Sequence, residues 1–253
     1  MELNPNKLRK HILYMVYKKQ SGHIGGSFSL CEVVSHLYSK HDLIEKDKLI
    51  LSKGHAVPVI YAVLYEMGLI DSLDDFREID SKLQGHPHIK ALEYIHATTG
   101  SLGQGLSIAI GYALGYKLKN MNNKVFCILG DGELQEGQNW EAFMYASTQK
   151  LDNLVCFIDF NHLQSEGRVK GTPTDLWEKL HSFGWHVKMV DGHNLNQIEN
   201  SLVSLKKNVP ACIILNTVKG KGVSFMENDN KWHSKFPNEE EYNKALGELN
   251  EGN

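Results

Sequence analysis

The sequence has no segment that could cross a bilayer as a helix. Its longest apolar runs fall far short of the ~18–20 residues that such a helix needs, and the opening MELNPNKLRKH lacks the apolar core of a signal peptide. Cysteine is scarce. Cys31, Cys127, Cys156 and Cys212 are widely spaced and form no C-x-x-C pair, so neither a structural zinc site nor a disulfide framework is expected. Three of them lie inside apolar runs, where a free thiol behaves as a small hydrophobe. They read as reduced core residues of a cytoplasmic protein. A dominant charge is missing as well: 27 basic against 30 acidic residues leave a net charge of −3, which gives no electrostatic basis for binding nucleic acid or an anionic membrane. Repeats, low-complexity stretches and linkers are also lacking. The expectation is therefore a single domain over 1–253, with an irregular C-terminal segment over about 218–253.

Histidine, by contrast, is abundant, at 13 of 253 residues. Several sit beside glycine: Gly22-His23, Gly54-His55, Gly85-His86 and Gly192-His193. Histidine is the side chain that most readily changes charge near neutral pH. A glycine neighbour lets the backbone come close to a ligand, although a Gly-flanked histidine is equally at home in an ordinary loop.

Periodicity gives the architecture. Leu8, Ile12, Leu13, Val16 and Tyr17 mark a helical stripe over 5–20, which Ser21–Ser27 breaks. A second helix starts near Ser29, a strand falls at 49–51, a helix at 57–67 stops at Gly68, and Ser72 caps a short helix to about Ile79. A helix with Gly105, Gly111 and Gly115 runs to about Leu118. Helical glycine costs about 1 kcal/mol relative to alanine, so these three predict close packing against another element. From residue 124 strands and helices alternate: strands at 124–129, 154–160, 186–190 and 211–217, helices at 140–149 and 175–183, and one from the Asn194 cap to about Lys206. Repeated β-α units imply an α/β fold, a parallel sheet with helices on both faces. Ligands of such sheets sit beyond the carboxyl ends of the strands.

Two of those ends carry oxygen ligands. Gly130-Asp131-Gly132 directly follows the apolar run 125–129, and Asn161, thirty positions after Asp131, follows the run 154–158. Mg²⁺ takes about six oxygens, commonly one or two carboxylates completed by phosphate. The pair therefore fits a metal–diphosphate site; the bland alternative is a turn Asp and a helix-cap Asn.

The segment from Gly130 to Gln164, GDGELQEGQNWEAFMYASTQKLDNLVCFIDFNHLQ, resembles the thiamine diphosphate motif of transketolases. SGHIGGS, LSKGHA, SKLQGHP, TTGSLGQGLS, FGWHVKMVDGH and TVKGKGVSFMEN resemble further motifs of that family, in family order over about 10–237. The resemblance implies a thiamine diphosphate-binding fold of the diphosphate-binding type. Asp131 and Asn161 are then ligands of Mg²⁺ (or Ca²⁺ or Mn²⁺), with the Leu163 carbonyl as a third. Gly130, Gly132 and Glu133 would line the diphosphate, Gly100 and Leu102 would lie against the cofactor ring, and His55 and His233 would reach the diphosphate or the substrate end. His23 and His86 would line the channel and hydrogen-bond substrate oxygens. Glu136 would join a carboxylate network at a subunit interface. The family's chemistry moves a two-carbon ketol unit between a ketose and an aldose, commonly as sugar phosphates, and proton transfer there suits neutral-range histidines. His96, His162 and His193 read as structural, Lys219 and Lys221 as a solvated loop, and Trp140 and Phe143 as core. The pattern departs from the family at Ile24 and Ser234, and the loop between Gln164 and Leu180 matches nothing.

A complete transketolase is more than twice as long, and its further domains hold the pyrimidine ring of the cofactor. The expectation is thus the N-terminal subunit of a split transketolase, active only with a C-terminal subunit in an α₂β₂ heterotetramer. Three alternatives remain: a transketolase-like subunit of a specialised pathway, a 2-oxo acid dehydrogenase α subunit, which shares the GDG…N logic, and a non-catalytic binding protein that kept the fold.

Overall fold

A computed structural model describes residues 1–170 and 175–251. Five parallel strands form the central sheet: β1 (Lys48–Leu51), β2 (Val125–Gly130), β3 (Leu154–Phe160), β6 (His186–Asp191) and β7 (Ala211–Asn216), in the order β1-β2-β3-β7-β6. A two-stranded antiparallel hairpin, β4 (Leu163–Gln164) and β5 (Gly167–Arg168), follows β3 directly. The middle strands are buried on both faces, so they read as continuous apolar runs rather than alternating ones.

The two faces bury different cores. Phe126, Ile128, Val155, Phe157, Ile213 and Leu215 point into one, together with α1 (Pro5–Lys19), α3 (Cys31–Lys40), α4 (Pro58–Glu66) and α8 (Leu195–Leu202). Cys127, Leu129, Cys156, Ile158 and Ile214 point into the other, with α5 (Gln104–Leu118), α6 (Gly137–Thr148) and α7 (Leu176–Ser182). Cys127, Cys156 and Cys212 stand in register across three neighbouring strands as free, fully buried thiols, the core role expected of them.

Capping chemistry sets the first helix. Asn4 Oδ1 accepts from the backbone N–H groups of Asn6 and Lys7, and Pro5 opens α1, where its missing N–H costs nothing. Asn194 caps α8 through Gln197 as expected, but the helix ends at Leu202, not at about 206.

Two expectations need correction, and one break, which does end α1, holds a further turn. Residues 72–79 form turns rather than a helix: Ser72 Oγ accepts from Asp74 N–H, and Arg77 and Asp80 take left-handed backbone angles that end any helical run. The Ser21–Ser27 break contains a helical turn, α2 (Gly25–Phe28). The tail is not irregular to its end, because Glu239–Glu251 is a helix, α9. A reciprocal cap between Asn238 and Glu241 starts it, Ala245 and Leu249 are buried against the rest of the chain, and Tyr242 stacks on Tyr17 of α1 at 4.1 Å.

The helical glycines of α5 divide. A Cβ on Gly105 would clash with Ser52, so this glycine permits the close approach of α5 to the end of β1. A Cβ on Gly111 or Gly115 would meet nothing within 4 Å, so the packing expected at these two does not occur among the described residues. Gly111→Ala should therefore stabilise the lone chain by up to about 1 kcal/mol, a rise of roughly 2–4 °C in Tm by calorimetry, whereas Gly105→Ala should lower Tm.

Candidate active site

All five strands of the main sheet deliver polar residues from their carboxyl ends. Ser52, Lys53 and His55 follow β1; Asp131 follows β2; Asp159 and Asn161 end β3; Thr217 and Lys219 follow β7; His193 follows β6. Burying so much polarity requires that it be paired. Asp159 is the hub. Its fully buried carboxylate accepts from Lys53 Nζ, from Ser29 Oγ at 2.7 Å, from Thr217 Oγ1 and from Asn161 Nδ2 at 3.1 Å. These bonds, with the Lys53 ammonium foremost, hold its pKa below the ordinary aspartate value despite complete burial.

Asp131 sits beside this hub under a different balance. Its Oδ1 accepts from Gly132 N–H at 2.8 Å and its Oδ2 from His162 N–H. Burial and the neighbouring Asp159 charge push its pKa up to about 6. Asn161 Oδ1 accepts from Leu163 N–H at 3.0 Å, and the Leu163 carbonyl accepts from Lys219 Nζ at 3.3 Å. The expected ligand trio thus lies on one short stretch of cleft, and a lysine cation is already drawn to one of its oxygens. No three His, Cys, Asp or Glu side chains cluster tightly enough to hold a metal among the described residues. One carboxylate, one amide oxygen and one carbonyl fit instead a hard cation whose coordination is completed by phosphate oxygens.

The cleft over these groups has a volume of about 260 Å³ and includes Lys53, His55, Leu102, Gly130, Gly132, Glu136, Gln164, Lys219 and His233 in its lining. Gly132 packs on Gln164 of the β4–β5 hairpin, where a Cβ would come to 3.3 Å. Glu133 plays a bracing part. Its carboxylate accepts from Ser52 Oγ, from Gly103 N–H at 2.8 Å and from Gly130 N–H at 3.1 Å, so it ties the Gly130 turn to the start of α5. Glu136 is exposed on this chain, and the Leu102 carbonyl accepts from Gln138 Nε2 at 3.3 Å.

Four histidines far apart in the sequence converge: His23, His55 and His86 from three motifs, and His233 from the segment after β7. His23 lies 5.3 Å from His55, 6.3 Å from His86 and 5.1 Å from His233 between ring centroids, and His55 lies 5.1 Å from His233. Gly100 packs against the His86 ring. All four rings are half-buried. Burial, reinforced by the cations of Lys53, Lys219 and Arg77, lowers the pKa of His23 to about 4 and that of His233 to about 3, and lowers those of His55 and His86 too. The cluster is therefore neutral at pH 7. Lys219 Nζ donates to His233 Nδ1 at 3.0 Å, so the proton of His233 stands on Nε2. His23 Nδ1 is buried without a hydrogen-bond partner among the described residues.

Lys219 contradicts its reading as a solvated loop residue. It is 2% exposed, packed on Gly25, and its pKa is lowered to about 8 by burial and by Lys53. Sequence patterns do not single out Lys53, Asp159 or Ser29. Their only signal is position: a lysine just past one strand end and an aspartate near another, both facing a site where burial forces pairing. His96 holds the Leu49 backbone and His162 lies against Phe160 at 4.2 Å, the structural parts expected of them. Phe143 is core, and Trp140 is half-buried with its Nε1–H on the Leu134 carbonyl. Part of the unmatched 164–180 loop, residues 171–174, lies outside the described residues.

The hub yields a stability prediction. Lys53→Met leaves the Asp159 charge buried with one cation fewer and should cost about 3–5 kcal/mol, as loss of one partner of a buried pair does. The double variant Lys53→Met/Asp159→Asn should recover part of this in denaturant titration, because no uncompensated charge remains.

Comparison with known proteins agrees with this geometry. Residues 3–248 match the family model of the transketolase, thiamine diphosphate binding domain. A 6-deoxy-6-sulfo-D-fructose transketolase subunit of Clostridium sp. (strain MSTE9) is 40% identical over 258 residues, covering 96% of this chain and 94% of the relative. An apulose-4-phosphate transketolase subunit from Phocaeicola vulgatus is 36% identical, covering 99% and 94%. The crystal structure of transketolase from Campylobacter jejuni superposes with a TM-score of 0.91 at 33% identity, covering 97% of this chain but 42% of that one. The chain thus spans nearly the full length of relatives named as subunits and about two-fifths of a one-chain transketolase. With the strand-end oxygens, the convergent histidines and these matches together, the chain belongs to the transketolase family and corresponds to its N-terminal, thiamine diphosphate-binding part.

Proposed function

We propose that this chain holds the Mg²⁺–diphosphate end of thiamine diphosphate and transfers a two-carbon ketol unit only in company with a C-terminal subunit. The observation that carries this reading is the division of one cleft into two walls. One wall offers oxygens of Asp131 and Leu163, with Asn161 bonded to Leu163 behind them, beside the Lys219 ammonium; the other offers the neutral rings of His55 and His233, with His23 and His86 packed next to them. When bound, the cofactor supplies the electron sink for carbon–carbon cleavage. The residues of this chain bind and orient. Asp131, Asn161 and the Leu163 carbonyl would ligate the metal, and Lys219 with the Gly130–Gly132 turn would meet diphosphate oxygens. His55 and His233 would stand at the far side of the diphosphate, where His233 can donate from Nε2. His23 and His86, kept neutral by burial and nearby cations, would accept or return protons of substrate hydroxyls. Gly100 and Leu102 would line the ring, and Glu136, at the rim, would meet the partner.

The need for a partner is supported by length, since relatives of this size carry the word subunit in their names. It is also supported by the face of α5 around Gly111 and Gly115, where a Cβ would meet nothing within 4 Å among the described residues. A symmetric α₂β₂ assembly follows if each cofactor is shared between unlike chains. A cytoplasmic setting is supported by four buried cysteines with no disulfide. A specialised sugar as substrate is the second reading, favoured by relatives named for apulose 4-phosphate and 6-deoxy-6-sulfo-D-fructose.

Three measurements test this. The purified chain alone should show no ketol transfer, and adding the C-terminal subunit should restore it; turnover by the single chain would overturn the split. Comparing xylulose 5-phosphate and ribose 5-phosphate with sulfonated and branched sugars would separate the two substrate readings. Asp131→Ala should abolish Mg²⁺-dependent binding of thiamine diphosphate in calorimetry, and unchanged affinity would rule out the metal assignment.

A further inference from the structure

His193, in the turn after β6, lies outside the cleft yet touches both ends of a chain of contacts that leads into it. Its Nε2 accepts from the backbone N–H of Val218 at 2.8 Å. A ring nitrogen that accepts a backbone N–H carries no proton, so Nδ1 carries it and donates to Glu32 Oε2 at 3.1 Å. Glu32 is itself locked. Both its oxygens accept from Arg9 Nη2 at 2.7 Å, and the same nitrogen donates to the Phe28 carbonyl at 3.1 Å. The imidazole is therefore fixed in orientation and tautomer by a buried ion pair between α1 and α3.

Val218 precedes Lys219. From this point the backbone runs as a strap: Gly220 N–H donates to the Gly25 carbonyl at 3.0 Å, and the Lys219 carbonyl accepts from Asn228 N–H at 2.9 Å. Gly220 takes φ +79° under Met226, a turn that fixes the direction in which the strap leaves. The Lys219 stem threads past Gly25, where even a Cβ would lie 3.0 Å away. So tight a passage leaves no slack: a shift of the Val218 amide is carried to the ammonium between Leu163 and His233.

We infer that His193 is a positioning residue, which through its Nε2 lone pair sets the backbone register of Val218 and so aims Lys219 at the anionic group bound in the cleft. This rests on the diphosphate reading above. The Gly192-His193 pair reads as structural in the sequence; its geometry gives it a defined link to the site.

The test uses two substitutions that split the ring. In His193→Asn the amide nitrogen stands near the place of Nδ1, so the Glu32 contact can persist while the acceptor for Val218 is lost. In His193→Gln the amide oxygen reaches the place of Nε2, so the acceptor persists while the Glu32 contact is lost. Calorimetric titration of the full chain with thiamine diphosphate, and separately with inorganic pyrophosphate, both with Mg²⁺, reads the outcome. His193→Asn should weaken both by on the order of tenfold, the scale of one hydrogen bond to a charged group. Lys219→Met should do the same, and the double variant should be no weaker than Lys219→Met alone. His193→Gln should bind like the parent even if its Tm falls as far. Equal losses in the Asn and Gln variants, or losses that multiply in the double variant, would overturn the inference while leaving the function standing. A parent chain that binds neither ligand would overturn both.

Discussion

The Lys53–Asp159 pair is the interaction on which the site depends. Asp159 is fully buried among groups that arrive from four directions: Lys53 beyond β1, Asn161 at the end of its own strand, Thr217 beyond β7, and Ser29 from the turn before α3. An ionised carboxylate at that depth is costly unless every lone pair is engaged. Because each partner anchors a different part of the chain, satisfying one charge also fixes the mutual placement of the strand ends. Hydrophobic packing alone would leave those ends free, since it is non-directional and lies between the strands rather than beyond them. The ion pair is thus better understood as a device for geometry than as a net source of stability.

Its second consequence is electrostatic. Burial keeps the histidines uncharged, and nearby cations add to it: the ammonium of Lys53, which serves Asp159, acts with Lys219 on His23, His55 and His233, and Arg77 acts on His23 and His86. Asp131, buried and with Asp159 as an unfavourable neighbour, is left with a raised pKa although backbone N–H groups support it. The cleft therefore holds a carboxylate whose charged form is disfavoured near a lysine whose charged form is disfavoured too. A metal bound together with an anionic ligand meets both needs at once, whereas either alone would satisfy one and worsen the other.

The sheet, its parallel sense and most of the helices were legible because apolar periodicity reports burial directly; the meeting of Asp131 and Asn161 followed from placing motifs at strand ends, and that of the histidines from the resemblance to transketolases. What the sequence hid has physical reasons. Lys219 reads as a loop lysine because Gly220 and Gly222 follow it; only the three-dimensional path of the strap buries it. Asp159 was masked by the apolar run around it, as a paired buried charge leaves no periodic trace. The α9 helix did carry a signal, the Asn238–Glu241 cap followed by Tyr242, Ala245 and Leu249 at helical spacing, and the acidic composition obscured it. The turn at 72–79 went the other way: Ser72 looks like a helix cap, but the serine side chain closes a local turn equally well.

The glycines of α5 show where the limits of one chain lie. Gly105 has its reason inside the molecule, in Ser52. Gly111 and Gly115 have none among the described residues, and each lowers helix stability by about as much as a surface hydrogen bond contributes. A helix that begins beside Leu102 at the cleft and then carries two such costs on its outer face is poorly optimised as an isolated surface. It is well suited to a backbone that approaches closely from another chain. The cleft has the same character: its charges are paired enough to fold and not enough to be at rest. Binding of a ligand that favours the folded state adds stability by mass action. A cofactor bound at the strand ends and a protein seated on α5 would each add stability to the chain in this way.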